Sequence, residues 1–118
     1  MRNFRELEIW NLSRGLVKEI YLLTKTMPEE EKFGLTSQIK RSTVSTPSNI
    51  AEGCAKKSNK DFSRFLEISL GSCYELETQL ILCSDLKLIS EKIIEEKIAL
   101  IQTIEKKITS FINYLSTQ

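Results

Sequence analysis

The sequence predicts an all-α fold, an antiparallel up-and-down four-helix bundle. Three observations carry that prediction. Apolar residues recur at steps of three and four through long segments, which is the period of a helix face. The chain holds only 4 Gly and 2 Pro in 118 residues, a composition suited to long helices and short connections. No alternating apolar run is bounded by hairpin signals, so no sheet is assigned. At this length a single domain spanning residues 1–118 is expected.

The first helix is expected from about Arg5 to Lys25. Ile9, Leu12, Leu16, Ile20 and Leu23 recur at helical spacing, and Trp10, Val17 and Tyr21 form a second, adjacent stripe. Together they form a face wider than a two-helix contact needs. Gly15 inside this helix costs about 1 kcal/mol relative to Ala, so it marks either close packing or an uncompensated loss. Pro28 followed by three carboxylates, Glu29, Glu30 and Glu31, reads as a turn opening a short helical segment that ends near Gly34.

The second helix opens at Leu35 and Thr36, with Thr36 as its cap. Its core positions, Ile39, Ser42, Thr43, Thr46, Ile50 and Ala51, are small and often polar, which permits close approach. Pro47 predicts a kink, or a break with Thr46 capping a new helix. The third helix is expected over Asn59–Asp85, with Ser58 and Asp61 at capping-box spacing. Phe62, Leu66, Ser69, Cys73, Leu76, Leu80 and Cys83 keep a heptad rhythm along it. Phe65 reads as core beside Phe62, and Gly71 as a site of close packing. After a tight connection at Leu86–Ile89, Ser90 caps the fourth helix. Ile94, Ile98, Ile101, Ile104, Ile108, Phe111, Ile112 and Leu115 line its apolar side. The surplus apolar width of helices 1 and 4 favours self-association over a monomer.

Composition argues against catalysis. There is no histidine, so histidine-dependent acid–base chemistry is absent. Glu75 and Glu77 are two apart and do not share a helix face. Glu52 and Glu67 complete the carboxylates of this region, and metal sites in bundles usually need Glu-x-x-His. Lys56 near Cys54 lowers a thiol pKa in principle, but no base and orienting group accompany them. No Walker-type loop or dinucleotide fingerprint is present. No enzyme activity and no cofactor are expected. The three cysteines form no CxxC and read as reduced residues of a cytoplasmic protein, two of them in the core. The opening Met1 to Glu6 has no apolar signal region, and no apolar run is long enough to span a membrane.

Charge is more informative. The net charge is +1, far from that of a strongly basic nucleic-acid binder. From Lys32 through Leu66, however, Lys32, Lys40, Arg41, Lys56, Lys57, Lys60 and Arg64 meet only Glu52 and Asp61, a local excess of +5. From Glu67 to Gln118 the balance is −3. The candidate nucleic-acid contacts are Lys40, Arg41, Lys56, Lys57, Lys60 and Arg64. Such a patch contacts phosphates and positions RNA or DNA without reading sequence. The competing interpretation is a solvated turn with ordinary lysines.

Three stretches resemble a known family: Gly34–Arg41, Ser45–Gly53 with its SNIAEG core, and Phe65–Leu80 with its GS-x-x-EL-x-TQL run. They resemble the bacterial four-helix bundle proteins encoded in intervening sequences of 23S ribosomal RNA genes, also called S23 ribosomal proteins. Phe4–Trp10 and Tyr21–Leu35 fit as well. The resemblance implies an antiparallel four-helix bundle, a ring-shaped homopentamer, a cytoplasmic location and no catalytic activity. It also implies similarity to the accessory variability protein of diversity-generating retroelements, a basic barrel associated with nucleic acid. Lys40, Arg41, Ser48, Asn49, Glu52 and Gly53 fill the family's polar positions. Thr46 departs from the usual aliphatic residue, and Lys40 stands where Arg is common, keeping charge without bidentate geometry. Two functions follow as expectations: an oligomer that binds RNA or DNA through a repeated basic patch, or a scaffold for an unidentified protein partner.

Overall fold

A computed structural model describes residues 2–118. Met1, part of the opening stretch discussed above, lies outside them. A turn of 3-10 helix at Phe4–Glu6 leads into α1 (Glu8–Thr24). A second such turn, Glu29–Glu31, precedes α2 (Leu35–Cys54). Then come α3 (Asn59–Asp85) and α4 (Glu91–Ser116). The four helices form an up-and-down bundle measuring 46 × 22 × 19 Å, with no strand among the described residues. Each helix packs on its chain neighbours, and α4 closes back on α1.

The caps of α3 and α4 are those the sequence predicts. Ser58 Oγ accepts from Asp61 N at 3.1 Å, and Ser90 Oγ from Ile93 N at 3.4 Å. Lys87 adopts a left-handed conformation (φ 59°) to turn the chain between them. Two starts differ from expectation. α1 begins at Glu8, because Asn3 first caps the short 3-10 turn through Arg5 N. Gly34, not Thr36, precedes α2, and Glu31 Oε1 accepts from Leu35 N at 3.2 Å. A carboxylate from the preceding turn therefore takes the capping role.

Pro47 does not divide α2, which runs unbroken from Leu35 to Cys54. Three carbonyls beside it accept side-chain hydrogen bonds. Thr46 Oγ1 donates to Ser42 O, Asn49 Nδ2 to Ser45 O and Ser69 Oγ to Thr46 O, at 3.4, 2.8 and 2.7 Å. The α2–α3 seam is a ladder of such polar contacts, including a 2.8 Å hydrogen bond shared by Ser45 Oγ and Ser72 Oγ. The small residues of α2 let the two backbones come close enough for it.

The remaining core is apolar. Ile20, Ile39, Ile50, Phe62, Leu66, Leu76, Leu80, Ile101 and Ile108 are fully enclosed, and all three cysteines are buried. The surplus apolar width also has a definite place. Leu12, on the apolar face of α1, is 37% exposed. It lines a groove of about 310 Å³ between α1 and α4 with Gly15, Leu16, Leu100 and Ile104. Exposed Glu8–Lys107 and Glu19–Lys97 ion pairs bracket that seam at 3.0 and 2.9 Å. Leu22 of α1 and Ile93 of α4 are also exposed. Gly15 has no atom within 4 Å of where a Cβ would stand, and neither has Gly71. Close packing within the chain explains neither glycine.

Candidate nucleic-acid interface

Topology fixes one end of the bundle as the candidate surface. In an up-and-down bundle the start of α1, the α2–α3 connection and the finish of α4 share an end. The chain leaves α2 through 3-10-like hydrogen bonds, Ala55 N to Glu52 O and Lys56 N to Gly53 O at 3.1 and 3.0 Å. It then re-enters helix after Ser58. Gly53 makes this tight return possible. A Cβ there would lie 2.7 Å from Phe65 Cβ and 3.0 Å from Phe62 Cδ1. Only a glycine lets α2 and α3 approach so closely at this point.

Four of the six predicted residues meet here. Lys56 extends over the Phe65 ring, 5.0 Å from its centroid. Lys57 and Lys60 are exposed and make no ion pair among the described residues. Arg64 has only a long, exposed contact to Asp61 at 3.8 Å, one helical turn away. A cleft of about 500 Å³ opens beside them, walled by Lys60, Ser63 and Arg64 of α3 and Ile112 and Leu115 of α4.

Lys40 and Arg41 are not part of this surface. They lie roughly 20 Å along α2 from the connection, at 1.5 Å per residue. Arg41 Nη2 donates to Glu75 Oε2 at 2.7 Å, and Lys40 sits 5.1 Å from the Tyr21 ring centroid. The continuous basic stretch of sequence is thus two separate groups in space.

Sequence reasoning missed Arg2, which the fold adds to the basic end. Its guanidinium stacks 4.2 Å from the Phe62 ring centroid, donates to Lys56 O at 3.1 Å and hydrogen-bonds Asn59. Its backbone N–H reaches Cys54 O at 3.5 Å. Arg2 therefore ties the start of the chain to the α2–α3 connection, and Arg5 follows on the same end. The signal was present in the sequence: an even number of helix crossings returns the second connection to the N-terminal end. The opposite end carries Glu29, Glu30, Glu31, Asp85 and Glu91 beside Lys25, Lys32, Lys87 and Lys92, so its charges nearly cancel.

The cysteines offer no nucleophile. Cys54 is 2% exposed, and burial raises its thiol pKa despite the opposing charge of Arg2. The Lys56 ammonium rests on Phe65 instead of activating it. Burial raises Cys83 as well, and Cys73 is pushed up to about 12. Among the described residues no group of three or more His, Cys, Asp or Glu side chains is placed to hold a metal ion. Among the described residues no helix is long and apolar enough to cross a membrane.

The family model for 23S rRNA-intervening sequence proteins matches residues 5–110. The chain belongs to this family. It is similar to a crystal structure of a protein with unknown function from the S23 ribosomal protein family of Bacteroides thetaiotaomicron. The two chains are 28% identical, with a TM-score of 0.82, over 88% of this chain and 97% of that one. No curated protein matches the chain.

Proposed function

We propose that this family member is a non-enzymatic, self-assembling bundle that holds RNA or DNA by its phosphate backbone at the basic end. The observation that carries the reading is the convergence of Arg2, Lys56, Lys57, Lys60 and Arg64 on one end, with Lys57 and Lys60 exposed and unpaired. Backbone contacts of this kind position a nucleic acid without selecting sequence. Lys40 and Arg41 would contribute only as a second, weaker contact along α2. Self-assembly is supported by the open α1–α4 seam, where Leu12, Leu22, Ile93 and Leu100 remain exposed. The homopentamer implied by the resemblance would repeat the basic end around one axis and add avidity. The likeness to the retroelement accessory protein, a cytoplasmic location and action as one domain over residues 1–118 belong to the same proposal.

The test is binding of short RNA and duplex DNA across a salt series. Affinity is expected to fall steeply with salt, as counterion release requires. Charge reversal at Lys56, Lys57 and Lys60 is expected to abolish it while leaving the bundle folded. No binding at low salt overturns the reading. A second reading, a scaffold for a protein partner, is favoured by the same apolar seam. It predicts nuclease-resistant co-purification that is indifferent to the lysine substitutions.

A further inference from the structure

α3 and α4 bring two carboxyl groups together in their shared interface. Glu77 and Glu105 are within hydrogen-bonding reach of each other. Glu77 Oε1 and Glu105 Oε2 are both buried and, taken as carboxylate oxygens, lack a hydrogen-bond donor. Two carboxylates are both acceptors, so neither can donate to the other. A hydrogen bond between them requires a proton, which sits on one oxygen and is shared with the other.

We infer that Glu77 and Glu105 form a proton-sharing carboxyl pair that latches α4 onto α3. Among the described residues neither makes an ion pair. The charged groups that α1 directs toward α4 are Glu8 and Glu19, and each is committed to a lysine, Lys107 or Lys97. Arg41, which α2 directs toward α3, is held by Glu75. The remaining titratable neighbour is Cys73, one turn before Glu77. Its protonated thiol contacts Thr46 of α2 at 3.8 Å and adds no positive charge.

The latch acts on the helix least held elsewhere. α4 meets α1 across the open groove at Gly15 and Leu100, with exposed ion pairs at its edges. Losing the shared proton leaves two facing negative charges in the α3–α4 interface, so α4 becomes the helix free to move. Burial first, and then the Glu77 carboxyl, push Glu105 from its ordinary 4.5 up to about 7. The folded chain therefore binds more protons than the unfolded chain between those values. The latch is fully closed below about pH 4.5 and is lost as pH rises through about 7.

The test is carboxyl-carbon NMR of the unmodified chain, with urea unfolding of the chain and of E105Q. An elevated midpoint for the Glu105 carboxyl is expected. Between about pH 5 and about pH 8.5 the folded-to-unfolded ratio is expected to fall at least about tenfold, the equivalent of one pKa unit. In E105Q, whose amide donates permanently, that dependence is expected to flatten. Titration of Glu105 in the ordinary carboxyl range overturns the inference, and so does an E105Q profile parallel to the parent. If E105Q does not fold, the NMR titration of the unmodified chain decides alone.

Discussion

Ser42 Oγ donates a 2.7 Å hydrogen bond to Gln79 Oε1 in the buried seam between α2 and α3. Both residues belong to the polar ladder that takes the place of an apolar stripe on α2. Removing one partner leaves a buried amide oxygen unpaired, which costs about 1–3 kcal/mol. Ser42→Ala is expected to lose that amount in urea unfolding. Adding Gln79→Leu to it is expected to recover part of the loss, because an apolar pair leaves nothing unsatisfied.

The glycines make a paired prediction. Gly53→Ala drives a methyl into Phe65 Cβ at 2.7 Å and forces α2 and α3 apart. A loss of about 1–3 kcal/mol is expected, as for other overpacked sites. Gly71→Ala meets open space in mid-helix and is expected to gain about 0.5–1 kcal/mol. Thermal unfolding of the two variants should move in opposite directions.

The cysteines should be silent in the folded chain. Cys73 is enclosed and its thiol is held near 12, so almost no thiolate forms at pH 8. Alkylation by a small maleimide is expected only after denaturation. The same shift has a stability consequence. The unfolded thiol ionises near 9, so folded-state stability from this group is present below that and falls as pH rises toward about 12. Urea midpoints of the parent should therefore drop above about pH 9, and Cys73→Ala should drop less.

Leu100 offers a test of assembly separate from nucleic-acid binding. It stands 46% exposed on the α1–α4 groove. Leu100→Glu is expected to reduce the mass seen by multi-angle light scattering while preserving helicity by circular dichroism. A parent chain that is already monomeric at micromolar concentration would remove self-association from the proposed function.

What the sequence made legible follows from how far each feature reaches along the chain. α3 and α4 were readable because the apolar period and the caps at Ser58 and Ser90 are local. Spacing puts Leu12 on the apolar face of α1 but does not report that α1 and α4 stand apart there. Lys40 and Arg41 were grouped with Lys56 because a charge excess counted along a helix ignores its length. Arg2 was overlooked because its partners, Lys56, Asn59 and Phe62, are more than fifty residues away. The Glu77–Glu105 contact depends on the α3–α4 register, and nothing local encodes that.

The open seam also bears on how the chain assembles itself. α2 and α3 are joined by a short connection and held by Gly53 and the hydroxyl ladder, so they can zip as neighbours. α1 and α4 lie at opposite ends of the sequence and meet across a partly empty groove. Closing the longest loop carries the largest entropic charge, and here it is met by the thinnest packing. The molecule thus resembles a book whose spine is α2–α3 and whose covers are α1 and α4. Hydrogen exchange should find its slowest amides in the spine and its fastest helical ones in the covers.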